Sequence, residues 1–166
     1  MQQYKQDFIR FLVRSGALKF GEFVLKSGRK APYFLNIGQF NTGKAIAELG
    51  YYYAQALNEH VSDYDIVFGP SYKGIQLAVA TAIALHEKCN KDVAYAYNRK
   101  EAKDHGEGGI LIGASITKES RVVILDDVIT AGTALRQVLD VLKRFGPTKI
   151  QGVVVAVDRM EKGKGQ

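Results

Sequence analysis

The chain has 166 residues, of which 46% are hydrophobic and 24% are charged, which is the composition of one ordinary folded domain and excludes a disordered or fibrous protein. Its single cysteine excludes an internal disulfide, residues 1–7 lack the apolar core of a signal peptide, and no apolar run is long enough to span a membrane. The net charge of +6 comes from scattered basic residues without a sustained basic stripe, so we expect a cytoplasmic protein whose partner is a polyanionic small molecule, with no membrane and no nucleic acid.

The first forty residues predict a helix followed by short strands. Apolar residues recur at helical spacing between residues 4 and 15, and Gly16 ends that helix. Residues 17–40 hold aromatic and aliphatic side chains interrupted by glycine and proline, which indicates short strands and turns. We expect these strands to form a small N-terminal hood beside the main sheet.

Helices and strands alternate in the rest of the chain. The predicted order is helix 45–57, strand 65–68, helix to about 87, strand 93–97, strand 122–125, helix 135–145 and strand 150–157. This alternation predicts right-handed βαβ units and an α/β fold with a central, mostly parallel sheet flanked by helices. We therefore expect one domain, with a helix and hood over about 1–40 and the α/β core over 41–166.

The segment 122–134 carries the strongest functional signal. Four uninterrupted aliphatic residues indicate a strand covered on both faces, and Asp126 and Asp127 come at its C-terminal end. The chain then turns through 130–133 into a helix whose N-terminal amides suit a phosphate, and Gly132 lets the anion approach the backbone. Adjacent carboxylates can hold ribose hydroxyls or a magnesium ion with its waters. This combination predicts a site for a phosphorylated sugar.

Two charged loops follow other predicted strands. Lys73 lies in the loop 69–74, and the polar segment 99–109 has no apolar residue larger than alanine before Gly109. Taken alone, both are typical of solvated surface. Ligand loops of an open α/β sheet gather at the C-terminal ends of its strands, so we expect both loops close to Asp126 and Asp127.

The segment 122–134 resembles the 5-phosphoribosyl-1-pyrophosphate signature of the type I phosphoribosyltransferases. Loop 69–74 resembles their pyrophosphate loop, in which a cis peptide is common, so we expect an unusual backbone at Ser71–Tyr72. The segments 25–34, 97–109 and 158–159 resemble the orotate phosphoribosyltransferases of that family, the middle one their catalytic lid. The resemblance implies transfer of phosphoribose to orotate, giving orotidine 5′-monophosphate and pyrophosphate in pyrimidine biosynthesis.

The resemblance also implies a role for individual residues. Contacts with phosphoribosyl pyrophosphate are implied for Lys26, Tyr72, Lys73, Arg99, Lys100, Lys103, His105, Asp126, Asp127, Val128, Ile129, Thr130, Ala131, Gly132, Thr133 and Ala134. Contacts with orotate are implied for Phe34, Leu35, Thr130 and Arg159. Within these sets, the carboxylates hold the ribose hydroxyls, residues 130–134 the 5-phosphate, and Arg159 the orotate carboxylate.

The implied catalytic residues are Lys103, His105 and Asp127. Lys103, assisted by His105, is expected to neutralise or protonate the leaving pyrophosphate while orotate N1 attacks C1. Mg²⁺ is the implied cofactor, bound mainly through substrate and water near Asp126 and Asp127. The family pattern further implies a homodimer in which the lid 99–109 reaches the neighbouring subunit's site.

Two features depart from the family pattern. Family members commonly carry a second aromatic residue where this chain has Leu35, and they usually continue past the Arg159 region through another strand and helix. We therefore expect looser stacking on the base and a shortened C-terminal end.

Two alternative functions remain at this point. One is a phosphoribosyltransferase for another base, such as a purine, although Arg159 and Lys26 favour an acidic pyrimidine. The other is a non-catalytic regulator that senses phosphoribosyl pyrophosphate and binds nucleic acid, although the intact lid disfavours it. His60, His86 and Cys89 lie in no motif and are assigned no site role.

Overall fold

The computed structural model describes residues 1–25, 28–101, 109–145 and 148–161. Helix α1 (Gln3–Arg14) ends where Gly16 takes a φ of +72°, as predicted. Strands β1 (Leu18–Val24) and β2 (Lys30–Leu35) then form a separate antiparallel hairpin, which confirms the predicted hood. A short 3-10 helix, Ile37–Gln39, leads from the hairpin into the core.

The α/β core follows the predicted alternation. Its elements are α2 (Gly43–His60), β3 (Ile66–Gly69), α3 (Lys73–Cys89), β4 (Ala94–Asn98), β5 (Leu111–Gly113), β6 (Arg121–Ile129), α4 (Thr133–Lys143) and β7 (Lys149–Asp158). The strand order is β5-β4-β3-β6-β7, parallel except for β5, which runs antiparallel at one edge. The mostly parallel sheet is confirmed, whereas β5 was not predicted, because three residues are too short to show a period. None of the described helices is long and apolar enough to cross a membrane.

Strand β6 lies at the centre of the core, as its aliphatic run predicted. Val122, Val123, Ile124 and Leu125 are all fully buried. Val123 and Leu125 pack with residues of α1, α2 and α3 on one face of the sheet, and Val122 and Ile124 pack with α4 on the other. The alternation of side chains along a strand accounts for the two faces. Both layers of helices therefore hold the start of β6 in place.

The end of β6 differs from the prediction in a way that shapes the site. The strand does not stop before the two aspartates but continues through them to Ile129. Its pairing with β3 ends at the pair Phe68–Ile124, whereas its pairing with β7 continues to Ile129–Asp158. The last residues of β6 therefore extend beyond its pairing with β3, and this leaves room beside Asp126 and Asp127.

Candidate active site

The loop after β3 and the described start of the segment after β4 meet Asp126 and Asp127 in one cleft, at the C-terminal ends of β3, β4 and β6. The cleft has a volume of about 550 Å³ and is lined by Pro70, Ser71, Tyr72, Lys73, Asn98, Arg99, Lys100, Ile110, Asp126, Asp127, Val128, Ala134, Gln137, Val138 and Val141. Its combination of cations and carboxylates is what a charged sugar phosphate requires. A second cavity, of about 290 Å³ between α1, α2 and β7, is almost wholly apolar and lacks that chemistry.

An ion pair joins the loop after β3 to strand β6 across the cleft. Lys73 Nζ, at the start of α3, donates to Asp127 Oδ2 in β6 at 2.8 Å. The Lys73 side chain is 55% exposed and that of Asp127 is 17% exposed. The lysine therefore reaches the carboxylate from the solvent side of the cleft, where an incoming anion can meet it.

The two aspartates are oriented by their own backbone. The N–H of Asp127 donates to Asp126 Oδ1 at 2.9 Å, and the N–H of Val128 donates to Asp127 Oδ1 at 2.8 Å. Burial raises the pKa of Asp126, and the neighbouring charge of Asp127 adds to the rise, although the Asp127 N–H opposes it. Each carboxylate can accept about four hydrogen bonds, so both retain acceptor capacity for a ligand.

The loop after β3 is held against the end of β4. The Ser71–Tyr72 peptide is cis, which confirms the unusual backbone expected there. The Ser71 N–H donates to Asn98 Oδ1 at 3.1 Å, and Ser71 Oγ donates to the Asn98 carbonyl. Gly69 and Gly74 contact so closely that a Cβ on Gly69 would overlap the Gly74 carbonyl. Asn98 had no predicted role, since a link between two loops distant in sequence has no local signal.

Cations of the β3 and β4 loops line the same cleft. Lys100 Nζ lies 4.6 Å from the centre of the Tyr72 ring, and that ring is 68% exposed. Among the described residues, Arg99 Nη1 is a buried nitrogen without a hydrogen-bond partner. A buried N–H donor of this kind favours an anionic ligand. Lys26, Lys103 and His105 lie outside the described residues.

The predicted phosphate loop precedes α4. Gly132, with a φ of +73°, is the residue before the first turn of α4, and Thr130 and Thr133 are exposed beside it. Arg136 was not predicted, yet its Nη2 donates to the Ala131 carbonyl at 2.9 Å and lies 3.4 Å from Thr133 Oγ1. Its position one helical turn after Gly132 was the available signal, because helical side chains lean toward the N-terminus.

The residues expected around orotate divide between two environments. Phe34 is 42% exposed and stacks on Phe23 with 5.6 Å between ring centres. Leu35 instead packs against the main core, so it is not placed on the face of β2 that carries Phe34. Successive side chains of a strand point to opposite faces, so the Leu35 side chain lies away from the face that carries Phe34, and its contact with orotate stays a prediction.

Arg159 directly follows β7, beside the last residue of β6, and already has partners. Its backbone N–H donates to the Ile129 carbonyl at 2.8 Å, and its guanidinium lies 4.7 Å from the centre of the Tyr33 ring. Its Nε donates to Glu161 Oε1 at 2.8 Å, and Glu161 also pairs with Arg29 at 3.0 Å. This bond from Arg159 lowers the pKa of Glu161. Tyr33 and Glu161 were not predicted as neighbours of Arg159.

The donor set fits a magnesium ion that takes most of its ligands from substrate and water. Within the described ranges, no group of three or more His, Cys, Asp or Glu side chains could hold a metal. Asp126 and Asp127 provide two carboxylates, whereas Mg²⁺ requires six oxygen ligands. The remaining ligands of the ion would therefore come from substrate and water.

Comparison with known proteins decides the family. The family model described as the phosphoribosyl transferase domain matches residues 36–165. The orotate phosphoribosyltransferase of Stutzerimonas stutzeri is 54% identical over all 166 residues, which cover 76% of that protein. This chain belongs to the orotate phosphoribosyltransferase family.

Further relatives agree with this assignment. The orotate phosphoribosyltransferase of Cellvibrio japonicus is also 54% identical over the whole chain, which covers 76% of that protein. The crystal structure of orotate phosphoribosyltransferase from Francisella tularensis superimposes with a TM-score of 0.84 at 47% identity, over 96% of this chain and 75% of that one. The family, the fold class and the class of enzyme predicted from the sequence are confirmed.

Proposed function

We propose that this chain transfers the 5-phosphoribosyl group of phosphoribosyl pyrophosphate to orotate, giving orotidine 5′-monophosphate and pyrophosphate in pyrimidine biosynthesis. The observation that carries the proposal is the 2.8 Å ion pair between Lys73 and Asp127. It brings a pyrophosphate-type loop and a phosphoribosyl signature to the same cleft, at the sheet edge where such ligands bind.

Each part of the sugar phosphate has partners of matching chemistry in the proposal. Asp126 and Asp127 accept hydrogen bonds from the ribose hydroxyls. The amides and hydroxyls of residues 130–134 donate to the 5-phosphate, aided by the positive end of the α4 dipole. Lys73, Arg99 and Lys100 line the cleft where the pyrophosphate would lie.

The reaction forms a bond from orotate N1 to ribose C1 and breaks the bond from C1 to a pyrophosphate oxygen. The electron pair of the broken bond leaves with pyrophosphate, so negative charge grows at that end and positive charge on the ribose. Lys103 and His105 are proposed to neutralise or protonate the leaving group. Bound Mg²⁺ would offset negative charge on the pyrophosphate, with Asp126 and Asp127 as the nearest carboxylates.

Orotate is proposed to bind beside the end of β7. Arg159 has the planar donor geometry that suits the orotate carboxylate, and Phe34 offers an exposed ring on the hood. Glu161 already accepts a hydrogen bond from Arg159, so orotate has to compete with this carboxylate. Leu35 contributes to the core rather than to stacking on the base.

The assay that tests the function mixes the protein with orotate, phosphoribosyl pyrophosphate and Mg²⁺ and follows the loss of orotate absorbance. Turnover that depends on all three supports the proposal. Activity with a purine base and none with orotate would favour a different phosphoribosyltransferase. Salt-dependent binding to RNA or DNA without turnover would favour the regulator.

A cytoplasmic homodimer with a shared site is also proposed, on the strength of the resemblance of the lid 99–109. Mixing Lys103→Ala with Asp127→Asn tests the shared site, because hybrid dimers would contain one intact site. We expect activity well above that of either variant alone. A mixture no more active than its two components would contradict a lid that serves the neighbouring subunit.

A further inference from the structure

A buried tyrosine on α2 contacts the backbone of the acidic pair. Tyr53 is 2% exposed and belongs to the core beneath the sheet. Its hydroxyl donates to the carbonyl of Asp126 at 2.8 Å, and the backbone of Ala156 in β7 partly offsets the rise in its pKa. One side chain thus connects helix α2 to the strand that carries the two aspartates.

The contact lies where the pairing of β6 and β7 is interrupted. The ladder pairs Asp126 with Val155 and then Val128 with Val157, and it omits the intervening pair of Asp127 and Ala156. The N–H groups of Asp127 and Val128 are bonded instead to the preceding aspartate carboxylates. The ladder therefore lacks one pair directly after Asp126, and the Tyr53 hydroxyl provides a hydrogen-bond partner beside this gap.

The chemistry of the phenol suits a permanent structural donor. Burial raises the pKa of Tyr53 well above its usual value, and the charges of Asp127 and Asp126 raise it further. The hydroxyl consequently keeps its proton throughout the physiological pH range. Without it, the Asp126 carbonyl would lose a buried partner, which the backbone could replace only by moving.

We propose that Tyr53 is a positioning residue that fixes the backbone of Asp126 and thereby orients both carboxylates toward the ribose hydroxyls. The inference rests on the proposed function, because it assigns those carboxylates to phosphoribosyl pyrophosphate. Tyr53 acts from the core side of β6 and through the main chain. It is therefore separate from the residues that line the cleft.

The test is the variant Tyr53→Phe, which keeps the ring and removes only the hydroxyl. Tyr64→Phe is the matched control, because the Tyr64 hydroxyl is also buried but has no hydrogen-bond partner among the described residues. Four quantities are measured for each protein: the KM for each of the two substrates, the Kd of phosphoribosyl pyrophosphate with Mg²⁺ by calorimetry, and the temperature of unfolding.

For Tyr53→Phe, we expect the KM and Kd of phosphoribosyl pyrophosphate to rise about 5- to 10-fold, the size of one lost hydrogen bond. The KM for orotate should change by less than about twofold, since the base is not held by the aspartates. Tyr64→Phe should leave both substrates unaffected. If Tyr53→Phe is too unstable for these measurements, all three proteins are compared in a stabilising osmolyte.

An unchanged Kd in folded Tyr53→Phe would overturn the inference, as would an equal rise in both KM values. A lower unfolding temperature with unchanged KM values would show a purely structural role and would also overturn it. If the wild type binds phosphoribosyl pyrophosphate but does not consume orotate, the proposed function fails while the Kd comparison still decides the role of Tyr53. A wild type that binds no phosphoribosyl pyrophosphate would overturn both.

Discussion

The two ends of β6 carry charge in opposite ways. At its start, the Arg121 guanidinium donates to the carboxylates of Asp63 and Asp65, with 3.0 Å from Nε to Asp65 Oδ2, and the Arg121 N–H adds a bond of 3.1 Å to the same oxygen. Toward its end, Asp126 and Asp127 are adjacent, and Lys73 forms an ion pair with Asp127. Only the four aliphatic residues 122–125 thus separate a cluster of paired charges from a pair of like charges.

The difference separates charges that support the fold from charges that are available to a ligand. Hydrogen bonds from Arg121 lower the pKa of Asp65 to about 2, so that ion pair favours the folded state at neutral pH. Burial and the adjacent Asp127 instead raise the pKa of Asp126, which disfavours its ionised form in the free protein. Charges kept in an unfavourable arrangement are candidates for function, and here they lie in the cleft.

The largest effect is expected from Asp127→Asn. Loss of the charged acceptor should reduce kcat/KM roughly 10- to 100-fold, because a hydrogen bond to a charged group contributes that much. The unfolding temperature should stay the same or rise, since a like-charge contact is removed. Asp63→Asn at the other end of the strand is the control, and it should leave kcat/KM unchanged. Equal losses of activity in the two variants would break the comparison.

The next effect is expected at the phosphate loop. Arg136→Gln removes a cation that contacts the Ala131 carbonyl, so the KM for phosphoribosyl pyrophosphate should rise about tenfold, while the unfolding temperature stays nearly constant. Arg144→Gln, an exposed residue at the far end of α4, is the control for net charge. If both variants raise the KM equally, the effect is one of overall charge and Arg136 has no specific role.

A smaller effect is expected from Glu161→Gln. The substitution weakens the partner of Arg159, so orotate should meet less competition and its KM should fall about two- to fivefold. The KM for phosphoribosyl pyrophosphate should not change. A higher KM for orotate would mean that Glu161 holds Arg159 in its productive orientation instead of competing for it.

The smallest effect concerns stability in acid. The folded-state pKa of Asp65, about 2, lies below its value in the unfolded chain, so its stabilisation is complete above about pH 4 and is lost as the pH falls through 2. Asp65→Asn should therefore lower stability at neutral pH and flatten the loss between pH 4 and 2. Urea unfolding at several pH values measures this slope. If stability falls equally steeply between pH 4 and 2 in Asp65→Asn and in the wild type, the lowered pKa of Asp65 is not the cause of that loss.

The core of β6 could be predicted because four aliphatic residues in sequence require burial on both faces. Its end could not, because the two aspartates interrupt the apolar pattern while their backbone continues to pair with β7. The loops that follow β3 and β4 were predicted from their place after strands. The short edge strand β5 was missed because three residues carry no period.

Side-chain partners were the least predictable part of the site. The face that Leu35 occupies could not be predicted, because only the register of the hairpin shows it. Arg136, Asn98 and Tyr53 were missed because each acts through a contact that depends on where a helix or loop lies in three dimensions. The match of residue types to sugar phosphate chemistry was visible in the sequence, and the supports for those residues were not.

The contact between Lys73 and Asp127 affects how much desolvation substrate binding requires. In the free protein these two charged groups are already paired with each other and are not separately hydrated. In the proposed binding mode, pyrophosphate binds the Lys73 ammonium group and a ribose hydroxyl donates to the Asp127 carboxylate, so entry of the substrate is an exchange of partners that leaves neither charged group unpaired. Such an exchange avoids most of the cost of removing water from isolated charges. The ion pair between Lys73 and Asp127 therefore prepares the cleft for its ligand.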